Sequence, residues 1–533
     1  MFSRSARLAA VTAGVVAAAL LAVTACTSSS TSSRTAGTQS TPATSTTPAS
    51  STTVNVVPTH STLHWNSCPA QGNNAECTTL SVPLNYADPK GRHIELALDM
   101  VPATAPRSQQ QGILLVNPGG PGGDGLPMAE EVAQGLKPAV AADYDIVGFD
   151  PRGVGTSEPE LTCDPTFFSE VRPDYVPANQ SAEQVLIDRA KTYAKDCEQR
   201  FGWLLPYMTT ADVAKDMDSI RTAFGVSKLN YFAFSYGTYI GQVYATLFPD
   251  RVRRMVLDST VDPTGVWYND NIQQDYAFQG RMRAFFAWTA KYDATYNLGG
   301  TAAQVQANWY KARNQLLAHP VSENGRPTIG ADEFDDTFLE GGYLDGLWPG
   351  LAQALAAYLN QDQTTDMVTE YQDYGAQSEN EFAVYNAVQC SDVNWPRNWA
   401  KWQSDTETVY KTAPFQAWDN AWFNAACAFW PITGPSQPLQ IKDNGLPGIL
   451  MLQGTLDPAT PYAGAQNAHK ALSPAARMVV VEGGGNHGQS LEQPPNTCVQ
   501  NYLNAYLGTD ALPDGPGLVN ATCPAVPDPT PNG

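Results

Sequence analysis

Basic residues are scarce in this chain, and charged residues of either sign are few. Of its 533 residues 16% are charged, and 31 Lys and Arg against 52 Asp and Glu give a formal net charge of −21. An average soluble protein has roughly 25% charged residues. Because so acidic a chain is repelled by phosphate backbones, we expect no nucleic-acid partner.

Repeats and paired metal ligands are also missing. The sequence has no heptad run and no repeating period, which excludes fibres and solenoids. It has no C-x-x-C pair, and we expect no metal site. Apolar residues make up 43% and aromatic residues 10%, enough to bury a large core. These observations indicate a globular protein, and we expect an enzyme.

The N-terminus is typical of an export signal. Arg4 and Arg7 precede an apolar stretch at residues 8–25, and the small residues before Cys26 resemble a bacterial lipobox. We therefore predict that residues 1–25 are a signal peptide and that Cys26 is lipidated and becomes the mature N-terminus. The alternative is a permanent transmembrane anchor, since an apolar stretch of this length can span a bilayer.

A polar segment follows the lipobox. Ser and Thr account for 19 of the 27 residues at 27–53. Such a segment cannot offset its ordering entropy, so residues 26–61 are predicted to be a disordered tether. Through the lipid anchor, the tether would hold the exported, folded part of the protein near the outward-facing surface of the cell membrane. Folded sequence is expected from residue 62 onwards.

The cysteines indicate disulfides. Without Cys26 eight of the nine remain, an even number in a chain predicted to be exported. We predict four bonds between sequence neighbours, although eight cysteines allow 105 connectivities. Buried free thiols are the alternative. The predicted pairs are Cys68–Cys77, Cys163–Cys197, Cys390–Cys427 and Cys498–Cys523.

Strands and helices alternate over much of the chain. Short apolar runs bounded by turn residues predict buried parallel strands, and they lie at 112–117, 144–149, 229–234, 252–257, 448–452 and 478–482. Helical patterns at 210–224 and 236–248 lie between them, which predicts a doubly wound α/β sheet.

The alternation breaks between 262 and 437. This region has a helical pattern and holds ten of the twelve tryptophans, from Trp267 to Trp430. We predict an inserted cap domain at 262–437 between two parts of one core, at 62–261 and 438–533.

Ser235 is the candidate nucleophile. It follows a predicted strand and precedes a helix, with Ala233 two residues before it and Gly237 two residues after it. A nucleophile elbow needs small residues at both places because the turn is tight. The usual pattern has glycine where this chain has Ala233. A serine in an ordinary strand–helix turn is the alternative.

His487 and Asp457 are the candidate base and acid. Of only six histidines, His487 alone lies in a glycine-rich loop after a predicted strand, at 483–488. Asp457 follows another strand, which gives the order Ser, Asp, His that α/β-hydrolases use. Asp258, at the end of an earlier strand, is the alternative acid. An exposed loop histidine and an aspartate in a plain turn are the non-catalytic interpretations.

The loop 117–123, Asn-Pro-Gly-Gly-Pro-Gly-Gly, follows the first core strand. Glycines let the backbone approach a substrate, and an acyl-transfer enzyme needs N–H donors for its oxyanion. We predict that the amides of Gly120 and Tyr236 supply them. The loop lacks the patterns of phosphate-binding loops, so nucleotide binding is not expected.

Five motifs together resemble the actinobacterial tripeptidyl aminopeptidase family, which is related to prolyl aminopeptidases and to mycobacterial cell-envelope serine hydrolases. They are NPGGPGG, DPRGVGTS at 150–157, FSYGT at 234–238, LDPATP at 456–461 and GGGNHG. The resemblance runs from about residue 63 to 525. It implies an α/β-hydrolase fold with a mostly parallel sheet and an inserted, mainly helical cap.

The resemblance also implies roles for residues. Ser235, Asp457 and His487 would form the triad, and Thr460 would support the acid loop. The chain departs from the family at Ala233 and at Asp124, where many relatives have serine. No cofactor is implied.

The predicted activity is a serine hydrolase that releases short peptides or amino acids from the N-terminus of peptides through an acyl-enzyme, and we expect a monomer. Candidate carboxylates for the substrate's amine are Glu340, Asp345 and Asp392. A carboxylesterase or lipase with the same triad is the alternative, and a non-enzymatic binding lipoprotein is a third.

Overall fold

A computed structural model gives the fold of residues 63–68, 75–169, 171–323 and 326–531. The predicted signal peptide, Cys26 and the tether lie outside the described residues. Within these ranges no helix has the length and apolar composition that a membrane crossing requires.

Strands form one large sheet and one small hairpin. The strands are β1 (Asn66–Ser67), β2 (Glu76–Pro83), β3 (His93–Val101), β4 (Gly112–Asn117), β5 (Tyr144–Phe149), β6 (Leu229–Phe234), β7 (Val252–Asp258), β8 (Val321–Glu323), β9 (Arg326–Ile329), β10 (Ile449–Gly454), β11 (Ala476–Glu482) and β12 (Ala521–Pro524). The sheet has the order β1-β2-β3-β5-β4-β6-β7-β10-β11-β12, and β8 pairs with β9.

The sheet is antiparallel from β1 to β5 and parallel from there to β12. Strands β4, β6 and β10 are buried at every residue, as central parallel strands usually are. The six predicted strands therefore coincide with observed ones. The antiparallel strands β2 and β3 were not predicted from the sequence.

Helices cover both faces of the sheet and fill the region between β7 and β10. They are α1 (Met128–Gly135), α2 (Pro138–Ala141), α3 (Gln180–Phe201), α4 (Thr210–Ala223), α5 (Tyr236–Leu247), α6 (Tyr268–Lys291), α7 (Asp293–Tyr296), α8 (Ala302–Ala318), α9 (Ala331–Tyr343), α10 (Trp348–Gln361), α11 (Thr365–Glu370), α12 (Glu379–Asp392), α13 (Trp399–Tyr410), α14 (Ala417–Asn424), α15 (Tyr462–Ala471) and α16 (Thr497–Thr509).

The region between β7 and β10 packs in two parts. Its first helices enclose a hydrophobic cluster of their own, which includes Trp309 and Trp348. From α12 onwards some side chains instead join the main core, among them Phe382 and Trp402. The predicted cap at 262–437 thus shares part of its packing with the sheet.

Four disulfides fix the described chain, and each joins the two cysteines that the sequence analysis paired. The bonds link Cys68–Cys77, Cys163–Cys197, Cys390–Cys427 and Cys498–Cys523. Disulfides persist in oxidising compartments, so they are typical of an exported protein.

Because β6, β7, β10 and β11 are parallel neighbours, their carboxyl ends meet at one edge of the sheet. Ligands of open α/β sheets bind outside that edge. Asp258 ends β7 at this edge, and the segments that leave the edge carry Ser235, Asp457 and His487.

Candidate active site

Ser235 lies in a strained turn between β6 and α5. Its φ of 54° and ψ of −130° are rare for a residue with a side chain. The Ser235 carbonyl accepts hydrogen bonds from the Thr238 amide at 2.8 Å and from the Thr238 hydroxyl at 2.6 Å. Strain of this kind persists only where surrounding contacts impose it. In this conformation the serine lies at the edge of the sheet, between the end of β6 and the start of α5.

Glycines make room for this turn. A Cβ on Gly237 would lie 2.6 Å from Asn117 Oδ1 and 3.0 Å from the Cβ of Ala233. A Cβ on Gly119 would lie 2.8 Å from that of Ser235. Because residue 237 is a glycine, no side chain at that position meets the methyl group of Ala233. The elbow therefore tolerates alanine in place of the usual glycine at position 233.

His487 contacts the carboxylate of Asp457. Its Nδ1 lies 3.0 Å from both carboxylate oxygens, and both side chains are buried. Asp457 also accepts the amides of Ala459 and Thr460 at 3.0 Å and the Thr460 hydroxyl at 3.1 Å. These bonds, two of them from Thr460, fix the carboxylate of Asp457 in its loop.

Asp258, the alternative acid, binds the main chain of the histidine loop. It accepts the amides of Gln489 at 2.9 Å and Ser490 at 2.8 Å. Burial raises the pKa of Asp258 to about 6. The geometry therefore favours Asp457 as the partner of the His487 imidazole.

The glycine loop lies beside Ser235. Pro118, Gly119 and Gly120 line the same cavity as the serine. Gly119 and Gly120 have φ near +100°, at 103° and 105°, a conformation that favours glycine. Tyr236 is the first residue of α5, where an amide has no acceptor within its own helix. Both predicted oxyanion donors thus belong to segments that adjoin the serine.

The DPRGVGTS segment, at 150–157, supports the chain that follows the glycine loop. Asp150 accepts the amides of Gly125, Leu126 and Thr156 at 2.9–3.3 Å, which fixes the chain directly after the glycine loop. Asp124, one of the two departures from the family, is exposed and lines the cavity.

The segment after α9 attaches to the histidine loop. The His487 amide donates to the Tyr343 carbonyl at 2.8 Å, and the Asp345 amide donates to Asn486 Oδ1 at 2.8 Å. The rings of Tyr343 and His487 are 5.6 Å apart between centroids. The region between β7 and β10 therefore closes the site from above.

A cavity of about 690 Å³ lies between the sheet edge and this region, and it includes Ser235 and His487. Its lining is strongly acidic. The carboxylates are Asp124, Glu131, Asp262, Asp270, Asp336, Glu340, Asp345, Asp373, Glu381, Asp419 and Glu492. No lysine or arginine lies among the described residues that line it.

The three predicted amine ligands have different surroundings. Glu340 lines the cavity. Asp345 lines it too, but Arg281 Nη2 lies 3.7 Å from its carboxylate and compensates its charge. Asp392 does not line it, which corrects the prediction, because its carboxylate binds the Thr210 amide at 2.7 Å and Trp267 Nε1 at 3.2 Å.

Asp419, on α14, is a candidate amine ligand that was not predicted from the sequence. It is 8% exposed and lines the cavity, and its carboxylate accepts no hydrogen bond from any residue that the structure describes. Burial and the nearby Asp336 carboxylate raise its pKa well above the ordinary value. Asp336 is itself paired with Arg172 at 2.6 Å. Only folding brings α9 and α14 together, so no local sequence signal marks this pair.

The sequence is similar to those of known proteins. A model of the alpha/beta hydrolase fold family matches residues 112–493. The chain is 40% identical over 468 residues to a tripeptidyl aminopeptidase of Streptomyces coelicolor, which covers 84% of this chain and 85% of the relative.

Two relatives from Mycobacterium tuberculosis are more distant. The serine protease Hip1 is 31% identical over 461 residues, covering 83% of this chain and 86% of the relative. A protein named carboxylesterase B is 31% identical over 471 residues, covering 84% of this chain and 88% of the relative.

Proposed function

Because the chain belongs to the alpha/beta hydrolases, in the tripeptidyl aminopeptidase family, we propose that it releases short peptides or amino acids from the N-terminus of peptides through an acyl-enzyme on Ser235. The chain is a serine hydrolase. The finer assignment concerns its substrate and the residues that act on it.

The proposed mechanism uses the residues described above. His487 takes the proton of the Ser235 hydroxyl as the serine attacks the scissile carbonyl, and Asp457 holds the imidazole tautomer and stabilises its cation. The amides of Gly120 and Tyr236 bind the oxyanion, and each lost donor would cost about 10²–10³ in turnover. His487 then protonates the leaving amine and activates the water that releases the acyl group.

The acidity of the cavity carries the choice of a peptide amine as the recognised group. Eleven carboxylates and, among the described residues, no lysine or arginine line the space around Ser235. Desolvating an ammonium group is costly unless a carboxylate meets it. Asp419 on α14 and Glu340 on α9 line the cavity and are our candidate ligands. A substrate without a cation gains nothing from this lining.

The test compares a free tripeptide amide with its N-acetylated form, with Ser235→Ala as the inactive control. Acetylation removes the positive charge, so we expect kcat/KM to fall roughly 10²-fold or more. Equal cleavage of the two would overturn the aminopeptidase assignment and leave the hydrolase chemistry standing.

A carboxylesterase is the second candidate, supported by the relative that carries that name. It would use the same triad on an uncharged acyl group. Short-chain esters tested beside the tripeptide amides separate the two, because an esterase would turn over the ester and be indifferent to an amine.

We also propose that Cys26 carries the lipid anchor. The small residues before it and the Ser/Thr-rich segment after it support this. Two acyl chains suffice for stable anchoring, whereas one is marginal. Cys26→Ser should move the protein from the detergent phase to the aqueous phase or leave it unprocessed. Unchanged partitioning together with an unchanged N-terminus and no acyl group on the wild-type protein would favour a transmembrane anchor.

A further inference from the structure

The turn Asp258–Ser259, at the end of β7, contacts the main chain of all three segments that carry the proposed triad. The Asp258 carbonyl accepts the amide of Ser235 at 3.1 Å. The Ser259 amide donates to Leu452 in β10, the strand before Asp457, at 2.9 Å. The Ser259 hydroxyl accepts the amide of Gly488 at 2.8 Å, directly after His487.

The carboxylate of Asp258 extends this contact along the histidine loop. It accepts the amides of Gln489 and Ser490 and the Ser490 hydroxyl, and it has no exposed surface. Together with Ser259 it therefore holds three consecutive amides after the histidine. Hydrogen bonds to a carboxylate are stronger than those between neutral groups.

The backbone of Ser259 is strained. Its φ is 59°, in the left-handed region that glycine adopts without cost. A residue with a side chain persists there only when its surroundings impose it. Glycine would relieve the strain but lacks the hydroxyl that accepts the Gly488 amide. Position 259 thus holds a serine where backbone preference alone favours glycine.

We propose that the Asp258–Ser259 turn is the positioning element of the active site: it fixes His487 relative to Ser235 through main-chain bonds to both segments. Neither residue is assigned a part in proton transfer. The inference rests on the proposed function, since it concerns the geometry of the proposed triad.

Ser259→Gly is the decisive variant. It removes the hydroxyl and relieves the backbone strain at the same time, so the melting temperature should change little. Loss of one neutral hydrogen bond in the support of His487 should lower kcat roughly threefold to tenfold, with KM within about twofold because the cavity lining is intact. A merely structural serine would leave kcat unchanged.

Asp258→Asn tests the carboxylate. Asparagine keeps one oxygen that can accept one of the two amides, but it turns an N–H donor towards the other amide, so kcat should fall at least about tenfold. The matched control is Asp145→Asn, because Asp145 accepts the amide of Ala103 at 2.8 Å at the opposite end of β5, far from the serine. The control should keep the wild-type kcat whatever its melting temperature.

Both variants are measured by tripeptide amide turnover and by the rate at which a fluorophosphonate modifies Ser235, which needs the nucleophile and its base but no peptide specificity. We expect both rates to fall together in the two variants. Wild-type rates of phosphonylation in both would overturn the positioning role alone. A wild-type protein that is phosphonylated but cleaves no tripeptide amide would overturn the proposed substrate and leave the positioning role standing. Failure of the wild-type protein to be phosphonylated would overturn the nucleophile and the positioning role with it.

Discussion

The two walls of the cavity hold their carboxylates differently. On the core wall, formed by the loops of Ser235, Asp457 and His487, Asp457 accepts three hydrogen bonds besides its contact with the imidazole. On the cap wall, formed by the residues of α9, α12 and α14 that line the cavity, Asp419 accepts none from the described residues. A fixed carboxylate can orient a base, whereas a carboxylate with unmet hydrogen-bonding capacity can bind a cation. The core wall is therefore suited to chemistry and the cap wall to recognition.

The largest effects should come from the core wall. Ser235→Ala and His487→Ala should each lower kcat by about 10⁶, and the double variant should be no worse, because the two residues act as one unit. Steady-state kinetics on a tripeptide amide measure this, with folding checked by circular dichroism. Losses that multiply in the double variant would contradict the shared role.

The residues of the core wall are also the ones that sequence patterns can identify as candidates. The elbow at Ser235 needs small neighbours within two residues, and the acid loop completes its own bonds between Asp457 and Thr460. Such requirements are local, so they are visible in the sequence. The cap wall depends on helices far apart in the chain. Asp392 and Asp419 look alike in sequence, and only packing makes one a partner of Thr210 and leaves the other facing the cavity.

Asp457→Asn should have the next largest effect. The substituted amide cannot hold the imidazole in the correct tautomer, so kcat should fall by about 10⁴ while KM changes little. The measurement is kcat against KM on the free tripeptide amide. Near-normal turnover would mean that Asp258 is the acid. Asp457 would then not be the catalytic acid, and Asp258 would not be a positioning residue alone.

Asp275→Asn sharpens the comparison through stability. Asp275, on α6, is 4% exposed and accepts a hydrogen bond from Asn420 at 2.9 Å, which an asparagine oxygen can still accept. Burial raises the pKa of Asp275 to about 7. An acid whose pKa rises on folding stabilises the folded state fully below its unfolded pKa near 4, and this contribution is lost as the pH rises through the folded value.

The wild-type protein should therefore lose on the order of 2–4 kcal/mol of unfolding free energy through this group between about pH 4 and pH 7. Asp275→Asn should lack that part of the slope and be the more stable protein at pH 7. Urea unfolding at several pH values measures it. Parallel pH profiles for the two proteins would mean that Asp275 is ionised in the folded state.

The smallest effect is expected on the cap wall itself. Asp419→Asn keeps the shape of the side chain and removes the carboxyl group that would ionise against a substrate's ammonium. A charge-assisted hydrogen bond lost in the bound state should raise KM for a free tripeptide amide by roughly tenfold or more, with kcat nearly unchanged because the core wall is untouched. The N-acetylated substrate is the internal control, since it brings no cation and its KM should not change.

Glu340→Gln, measured in the same way, shows whether the two carboxylates share the amine. An equal rise in KM for both substrates would make Asp419 a part of the packing of α14, and a fall in kcat alone would mean that the cap wall takes part in the chemistry assigned to the core.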